Sequence, residues 1–186
     1  MGRFSIYETP ISGLKVIERE LIGDSRGFLA RIFCLDELKS AGWLGSISQV
    51  NQTVTKKRGT VRGMHYQQPP YSEIKLVSCI QGEVWDVALD LRKNSPTFLR
   101  WHAEKLSAQN CRALLIPQGF AHGFQTLSDD CELIYMHSQP YVQGAESGIH
   151  PNDPAINISW PLDFFQISAR DSGHPMLNDQ FIGIEI

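Results

Sequence analysis

The chain has 186 residues, 42% hydrophobic and 20% charged, an ordinary globular composition with enough apolar material for one full core. The net charge is −3 and the basic residues are scattered, which argues against nucleic acid or an anionic membrane surface as partner but leaves room for an anionic small molecule held by a few arginines. No stretch approaches the roughly 20 apolar residues of a membrane span.

The first residues, through Glu20, contain no continuous apolar run of a secretory signal, and Ile6 stands where a myristoylation signal needs Ser or Thr. Cys34, Cys79, Cys111 and Cys131 are widely spaced without zinc-type pairing, so buried free thiols in a reducing cytoplasm are expected.

Short β-type runs broken by turn residues dominate the chain. Leu14 to Leu21 alternates and is followed by the loop signal Gly23-Asp-Ser-Arg-Gly27; Phe28 to Phe33 reads as a strand. Leu35 to Ala41 reads as a short helix opened by Asp36. Strands are then predicted at Ile47–Thr55 and Thr60–Gln67, on either side of the turn Lys56-Lys-Arg-Gly59, and at Lys75–Ile80 and Glu83–Leu91, with Gln81-Gly82 as a tight hairpin. Beyond the loop Lys93-Asn94-Ser95-Pro96 come Phe98–Leu106, Arg112–Ile116, Gly123–Leu127 and Cys131–His137. Strands of this length and spacing predict an all-β sandwich or barrel. From Pro151 onward the chain is rich in Pro, Asp and Asn and reads as an irregular segment packed over the barrel, so residues 1–186 are taken as one domain.

Period 2 decides which side chains share a face. Along Glu83–Leu91, Trp85, Val87, Leu89 and Leu91 form one apolar face, and Val84, Asp86, Ala88 and Asp90 form the other. Both faces are partly apolar, as in a wall packed on its outside while lining a polar pocket within. Leu133, Tyr135 and His137 likewise share a face.

The densest polar stretch is Arg58-Gly-Thr-Val-Arg-Gly-Met-His-Tyr-Gln67. His65 stands out by its company, Arg62 three residues before it and Lys75 ten after it. With Gln68–Glu73 as a loop, residues 65 and 75 are expected on adjacent antiparallel strands. Strict alternation puts Arg62 and His65 on opposite faces, so both reach one pocket only if Gly63 marks a bulge or bend.

Pro117-Gln-Gly-Phe-Ala-His122 resembles the second cupin motif, whose histidine often binds metal. The first cupin motif is nearly present as Gly59-x5-His65-Tyr66, but Gln67 replaces its second histidine, and a first-row metal usually needs three or four His, Asp or Glu ligands. The reading is a cupin barrel without a metal.

The ordered set Arg26-Gly-Phe28, Gln49-x-Asn51, Arg62-Gly-Met-His-Tyr-Gln67, Lys75-Leu-Val, Gly82-Glu-Val-Trp-Asp-Val-Ala-Leu-Asp90, Ile116-Pro-Gln-Gly-Phe-Ala-His-Gly-Phe124, Tyr135, Tyr141 and Trp160-Pro-Leu162 resembles the dTDP-4-dehydrorhamnose 3,5-epimerase family over roughly residues 10 to 175. The resemblance implies an antiparallel jelly-roll (cupin-like) barrel with a few short helices, a homodimer, no cofactor, and a nucleoside-diphosphate 4-keto-6-deoxy sugar as substrate. It also implies His65 as base, Asp171 as the carboxylate that orients it, Lys75 beside the ketone oxygen, and Tyr135 as acid on the opposite face. Arg26, Arg62, Gln49, Asn51 and His122 fall on ligand positions, and Phe28 and Tyr141 on aromatics that hold the nucleotide base. Arg31 stands where the family commonly has Glu, and Pro140 precedes Tyr141 where the family often has Tyr-Tyr.

These residue types suit proton transfer beside a ketone: imidazole is a base near neutral pKa, and an enolate oxygen needs a fixed donor or cation. The alternatives are inversion of carbon 3 alone, a metal-dependent cupin oxygenase built on His65 and His122, and a non-catalytic sugar-nucleotide sensor, for which arginines and aromatics would suffice.

Overall fold

The structure, a computed structural model, describes residues 2–186. Two antiparallel sheets face each other. One runs in the order β1 (Phe4–Glu8), β2 (Lys15–Arg19), β10 (Arg112–Ile116), β7 (Lys75–Gln81), β12 (Cys131–His137), β5 (Gln49–Thr55). The other runs β13 (Glu146–Gly148), β6 (Thr60–Gln67), β11 (Phe120–Thr126), β8 (Glu83–Asp90), β9 (Trp101–Ser107), with β14 (Gln166–Ile167) joined parallel to β6. A separate hairpin pairs β3 (Leu21–Asp24) with β4 (Gly27–Ala30), and two short helices, α1 (Leu35–Lys39) and α2 (Ala169–Ser172), complete the cupin-like jelly roll.

The alternation in β8 shows why the sheets stack. Val84 and Ala88 point between the sheets, where they meet Phe120 and Phe124 of β11, Val77 of β7 and Leu133 of β12. Val87, Leu89 and Leu91 point outward and are covered by Ile149, Ile156 and Ile158 of the C-terminal segment. The outer face of the other sheet buries Ile17, Leu76 and Leu115 under Leu38 of α1 and Trp43. Each such aliphatic side chain contributes roughly 1.5–3 kcal/mol on full burial, so both coverings are needed. On the inward face Asp90 is buried and organises the loop before β9: it binds Arg92 at 2.8 Å and accepts from Thr97 Oγ1 at 2.7 Å.

Several expectations are corrected. The run Leu14–Leu21 divides at Glu20 into β2 and β3, and the loop signal at Gly23–Gly27 is the end of the β3–β4 hairpin, whose turn is Ser25-Arg26. β1 escapes the periodicity argument because four of its five residues are exposed at a sheet edge. The N-cap of α1 is Cys34, with Asp36 inside the first turn. β11 begins at Phe120, three residues before the expected Gly123, and the strand expected from Phe98 begins at Trp101 because Leu99 takes a φ of 58°. Gln81-Gly82 is a turn, but the strands it joins lie in opposite sheets, so it is not a hairpin. β6 and β7 are likewise in opposite sheets, so His65 and Lys75 are not on adjacent strands.

The bend at Gly63 is present. Against β11, His65 pairs with His122 and Arg62 with Phe124, so β6 carries one residue more than its partner between these positions. That extra residue resets the alternation and turns Arg62 and His65 to the same side. Only glycine fits: φ is +127°, and a Cβ on Gly63 would lie 2.5 Å from Gly123 Cα and 2.9 Å from His122 O, both backbone atoms. Gly63→Ala should therefore destabilise the fold by about 3 kcal/mol, read as a lower urea midpoint at unchanged slope; an unshifted midpoint would show that the bulge does not depend on glycine.

Candidate active site

One end of the space between the sheets opens as a cleft of about 290 Å³. β5 presents Gln49, Asn51 and Thr53 on one face by simple alternation; β6 supplies Arg62, His65 and Gln67 through the bulge. Lys75, Tyr135 and His137 enter from the first sheet and His122 from the second. Tyr141, Glu146 and Arg170 form the rim.

His65 Nε2 lies 2.9 Å from Asp171 Oδ1. Asp171 is buried in α2, whose start is capped by Ser168 accepting the Asp171 N–H at 3.0 Å. Its other oxygen accepts the Gly63 N–H at 3.1 Å, and Arg170 Nε donates to Oδ1 at 3.0 Å. Burial would raise the Asp171 pKa, but the bond and charge of His65, with the Gly63 and Arg170 donors, outweigh it and hold the carboxyl far below the usual range. A carboxylate only accepts, so this contact places the imidazole proton on Nε2 and leaves the Nδ1 lone pair free. Arg170 Nη2 lies 3.0 Å from the same nitrogen but, being only a donor, makes no hydrogen bond to a protonated Nε2; its guanidinium is held instead by Asp171 through Nε and by Glu146 through Nη1 at 3.1 Å.

A second buried pair joins His122 Nε2 to Asp86 Oδ1 at 2.9 Å. Burial raises the Asp86 pKa. The Tyr135 ring packs edge-on against His122 at 5.8 Å and stacks on His137 at 6.1 Å. Burial, then the Asp86 charge, pushes the Tyr135 phenol far above its ordinary value, so it stays protonated and able to donate at neutral pH. Lys75 reaches across from the facing sheet: its Nζ binds Glu73 at 2.9 Å and donates to His65 O at 3.5 Å. Burial alone would raise the Glu73 pKa, but the Lys75 charge and hydrogen bond, with Gln67, lower it on balance and keep the pair ionised.

Around the mouth, Gln49 Nε2 donates to Asn51 Oδ1 at 3.0 Å, and Gln49 Oε1 accepts the Tyr141 N–H at 2.9 Å. The Tyr141 hydroxyl donates to Glu146 at 2.9 Å. Arg62 is exposed into the cleft and, among the described residues, has no carboxylate partner, unlike Arg170. Arg26 and Phe28 do not line this cleft. Arg26 sits at the tip of the β3–β4 hairpin, 88% exposed at its side chain and bound to Asp24 at 2.6 Å, and Phe28 is 62% exposed on β4.

The donor set does not fit the cupin metal position. Gln67 Nε2 is spent on Tyr71 O at 3.0 Å, Glu73 at 3.1 Å and Pro140 O at 3.2 Å, and its Oε1 accepts the Val142 N–H at 2.7 Å. The Nε2 atoms of His65 and His122 each face their own carboxylate.

The family profile described as dTDP-4-dehydrorhamnose 3,5-epimerase matches residues 8–179. The chain belongs to the dTDP-4-dehydrorhamnose 3,5-epimerase family. It is 42% identical to a Shigella flexneri protein of that name over 168 residues, 90% of this chain and 92% of the relative. A dTDP-6-deoxy-D-glucose-3,5-epimerase from Legionella pneumophila, solved with dTDP-4-keto-L-rhamnose, is 37% identical, covers 98% of both chains and superposes with a TM-score of 0.92. A 3'-monoepimerase from Streptomyces bikiniensis, solved with dTDP-quinovose, is 33% identical over 90% of this chain and 85% of its own, with a TM-score of 0.84.

Within this epimerase-family cleft, residue-by-residue reading missed Glu73, Glu146, Arg170 and His137 as site groups. Glu73 lies in a loop segment, Glu146 and Arg170 in segments without periodicity, and the pattern around His137 shows only that it shares a face with Tyr135. Arg31, the departure from the family pattern, pairs with Glu37 on α1.

Burial, followed by the charge of Lys75, drives the His137 pKa down to about 4. The unfolded chain takes up this proton below pH 6.5 and the folded chain only near 4, so the contribution is intact above 6.5 and is lost as pH falls towards 4. His137→Gln should flatten the decline of the urea-unfolding free energy across that window; an unchanged slope would place the His137 pKa at its ordinary value.

Proposed function

We propose that this protein is an isomerase that inverts carbons 3 and 5 of a dTDP-linked 4-keto-6-deoxyhexose by proton transfer. The observation that carries this reading is the pairing of a base and a proton donor from facing sheets: His65, backed by buried Asp171, on β6, and a protonated Tyr135 on β12.

His65 Nδ1 takes the proton from the carbon beside the ketone, and the C–H electron pair moves into the C–C bond as the carbonyl pair moves onto oxygen. Such a base is worth ~10²–10⁴ in rate. The imidazolium that forms carries its Nε2–H on Asp171, which is a positioning residue. Lys75 serves the enolate oxygen, where loss of one donor costs on the order of 3 kcal/mol. Tyr135 then returns a proton to the opposite face, which inverts the carbon; solvent reprotonates Tyr135 and takes the proton from His65. No redox step is needed.

Arg62 is read as the cation for the diphosphate, which it can grip bidentately. Gln49, Asn51, His122 and Tyr141 complete the ligand shell. Arg26 and Phe28 lie on a hairpin that also exposes Ile22 and Leu29. A homodimer in which this hairpin docks on the partner would bury these side chains and bring Arg26 and Phe28 to the partner's cleft.

The test is deuterium incorporation from heavy water into a dTDP-4-keto-6-deoxyhexose, followed by NMR, with the dimer checked by sedimentation at twice the 21.0 kDa chain mass. The native protein should label carbons 3 and 5. Label at carbon 3 alone would reduce the activity to 3-epimerisation. His65→Asn should abolish labelling while leaving nucleotide affinity nearly unchanged, and labelling that persists would remove His65 as base. Tyr135→Phe should still exchange through His65 yet form little inverted product.

A further inference from the structure

His174, just past α2, has no role in the chemistry above. Its Nε2 is buried and has no hydrogen-bond partner among the described residues. That nitrogen lies 3.9 Å from Asp171 Oδ1, the oxygen that His65 Nε2 meets at 2.9 Å, and one donor atom from each of the three residues falls within 4.8 Å of the others. The two imidazole rings meet edge to face with centroids 5.6 Å apart. This approach is built in: Gly148 pairs with His65 in the β13–β6 register, and a Cβ there would stand 2.4 Å from the His174 ring.

We propose that His65, Asp171 and His174 form a binding site for a late first-row divalent ion, Zn²⁺ above all, whose occupancy switches off the base. Two imidazoles and a carboxylate are the ligand chemistry of such ions, whereas Mg²⁺ and Ca²⁺ take oxygen ligands. Bonds of about 2.0–2.1 Å hold tetrahedral ligand atoms roughly 3.3 Å apart, so the present spacings need only a modest closing of the His174 ring, with solvent as further ligand.

The ion must displace Arg170, which now occupies Asp171 Oδ1; that side chain is 54% exposed and keeps Glu146 as an alternative partner. The switch follows from the tautomer. The metal takes the lone pair of His65 Nε2, so the proton formerly on Nε2 passes through solvent to Nδ1, leaving the ring neutral. Nδ1 then bears hydrogen and has no lone pair with which to take a proton from a substrate carbon. The binding site stands on geometry alone; the switch rests on His65 being the base.

The experiment is a zinc titration of the full chain against a chromophoric chelator, run beside the deuterium-exchange assay, with Mg²⁺ as control. The native protein should bind one Zn²⁺ per chain and lose exchange in proportion, reversibly with EDTA, and Mg²⁺ should do neither. His174→Ala, and His174→Phe to keep a ring over Gly148, should retain exchange without zinc but weaken zinc binding and inhibition by at least about tenfold. Zinc binding unaffected by both variants, or no binding at all, would overturn the site and leave the epimerase reading untouched. Stoichiometric, His174-dependent binding without loss of exchange would overturn the switch and, with it, His65 as the base.

Discussion

The site depends on a single carboxylate. Asp171 accepts the amide of Gly63 on one oxygen and meets His65 Nε2 on the other, so the backbone bulge and the imidazole are fixed by the same group. Without the bulge, alternation would send Arg62 and His65 to opposite faces of β6. Without the carboxylate, neither the bulge amide nor the imidazole proton would have its partner. Two stretches of chain that are 108 residues apart are joined there, which makes the C-terminal segment part of the site as well as a cover for the outer sheet face.

The electrostatics follow from how each buried group is paired. Lys75 and Glu73 neutralise each other as ions, and the charge of Lys75 helps hold His137 neutral. Tyr135, packed among rings and near Asp86, keeps its proton. Arg62 alone among the cleft cations has no carboxylate of its own among the described residues, so it is available to an anion. A cleft with a free cation, a carboxylate-backed imidazole and a protonated phenol is suited to moving protons on an anionic ligand.

Much of this was legible in the sequence where a local rule applied. The two faces of β8 follow from period 2, and the conflict between Arg62 and His65 pointed to a bend at Gly63 that the register confirms. What depends on long-range assembly was not legible. His65 and Lys75 meet across facing sheets, because residues 68–74, between β6 and β7, pass the chain from one sheet to the other. Asp171 lies in an irregular Ala-Arg-Asp-Ser-Gly stretch and was singled out only through the family resemblance. Arg170 and His174 flank it and carry no pattern at all. The placement of Arg26 and Phe28 on an exposed hairpin away from the cleft could not be seen from a motif match, which says nothing about where the hairpin points.

The central claim is that Asp171 holds the His65 proton on Nε2 and leaves Nδ1 as the base. Nitrogen NMR of the histidine-labelled protein at neutral pH, with His65 assigned from the His65→Asn variant, reports this tautomer directly. The account predicts a protonated Nε2 and a bare Nδ1 for His65, with the two forms mixing in Asp171→Asn. A His65 ring protonated on Nδ1, with Nε2 bare, would contradict it.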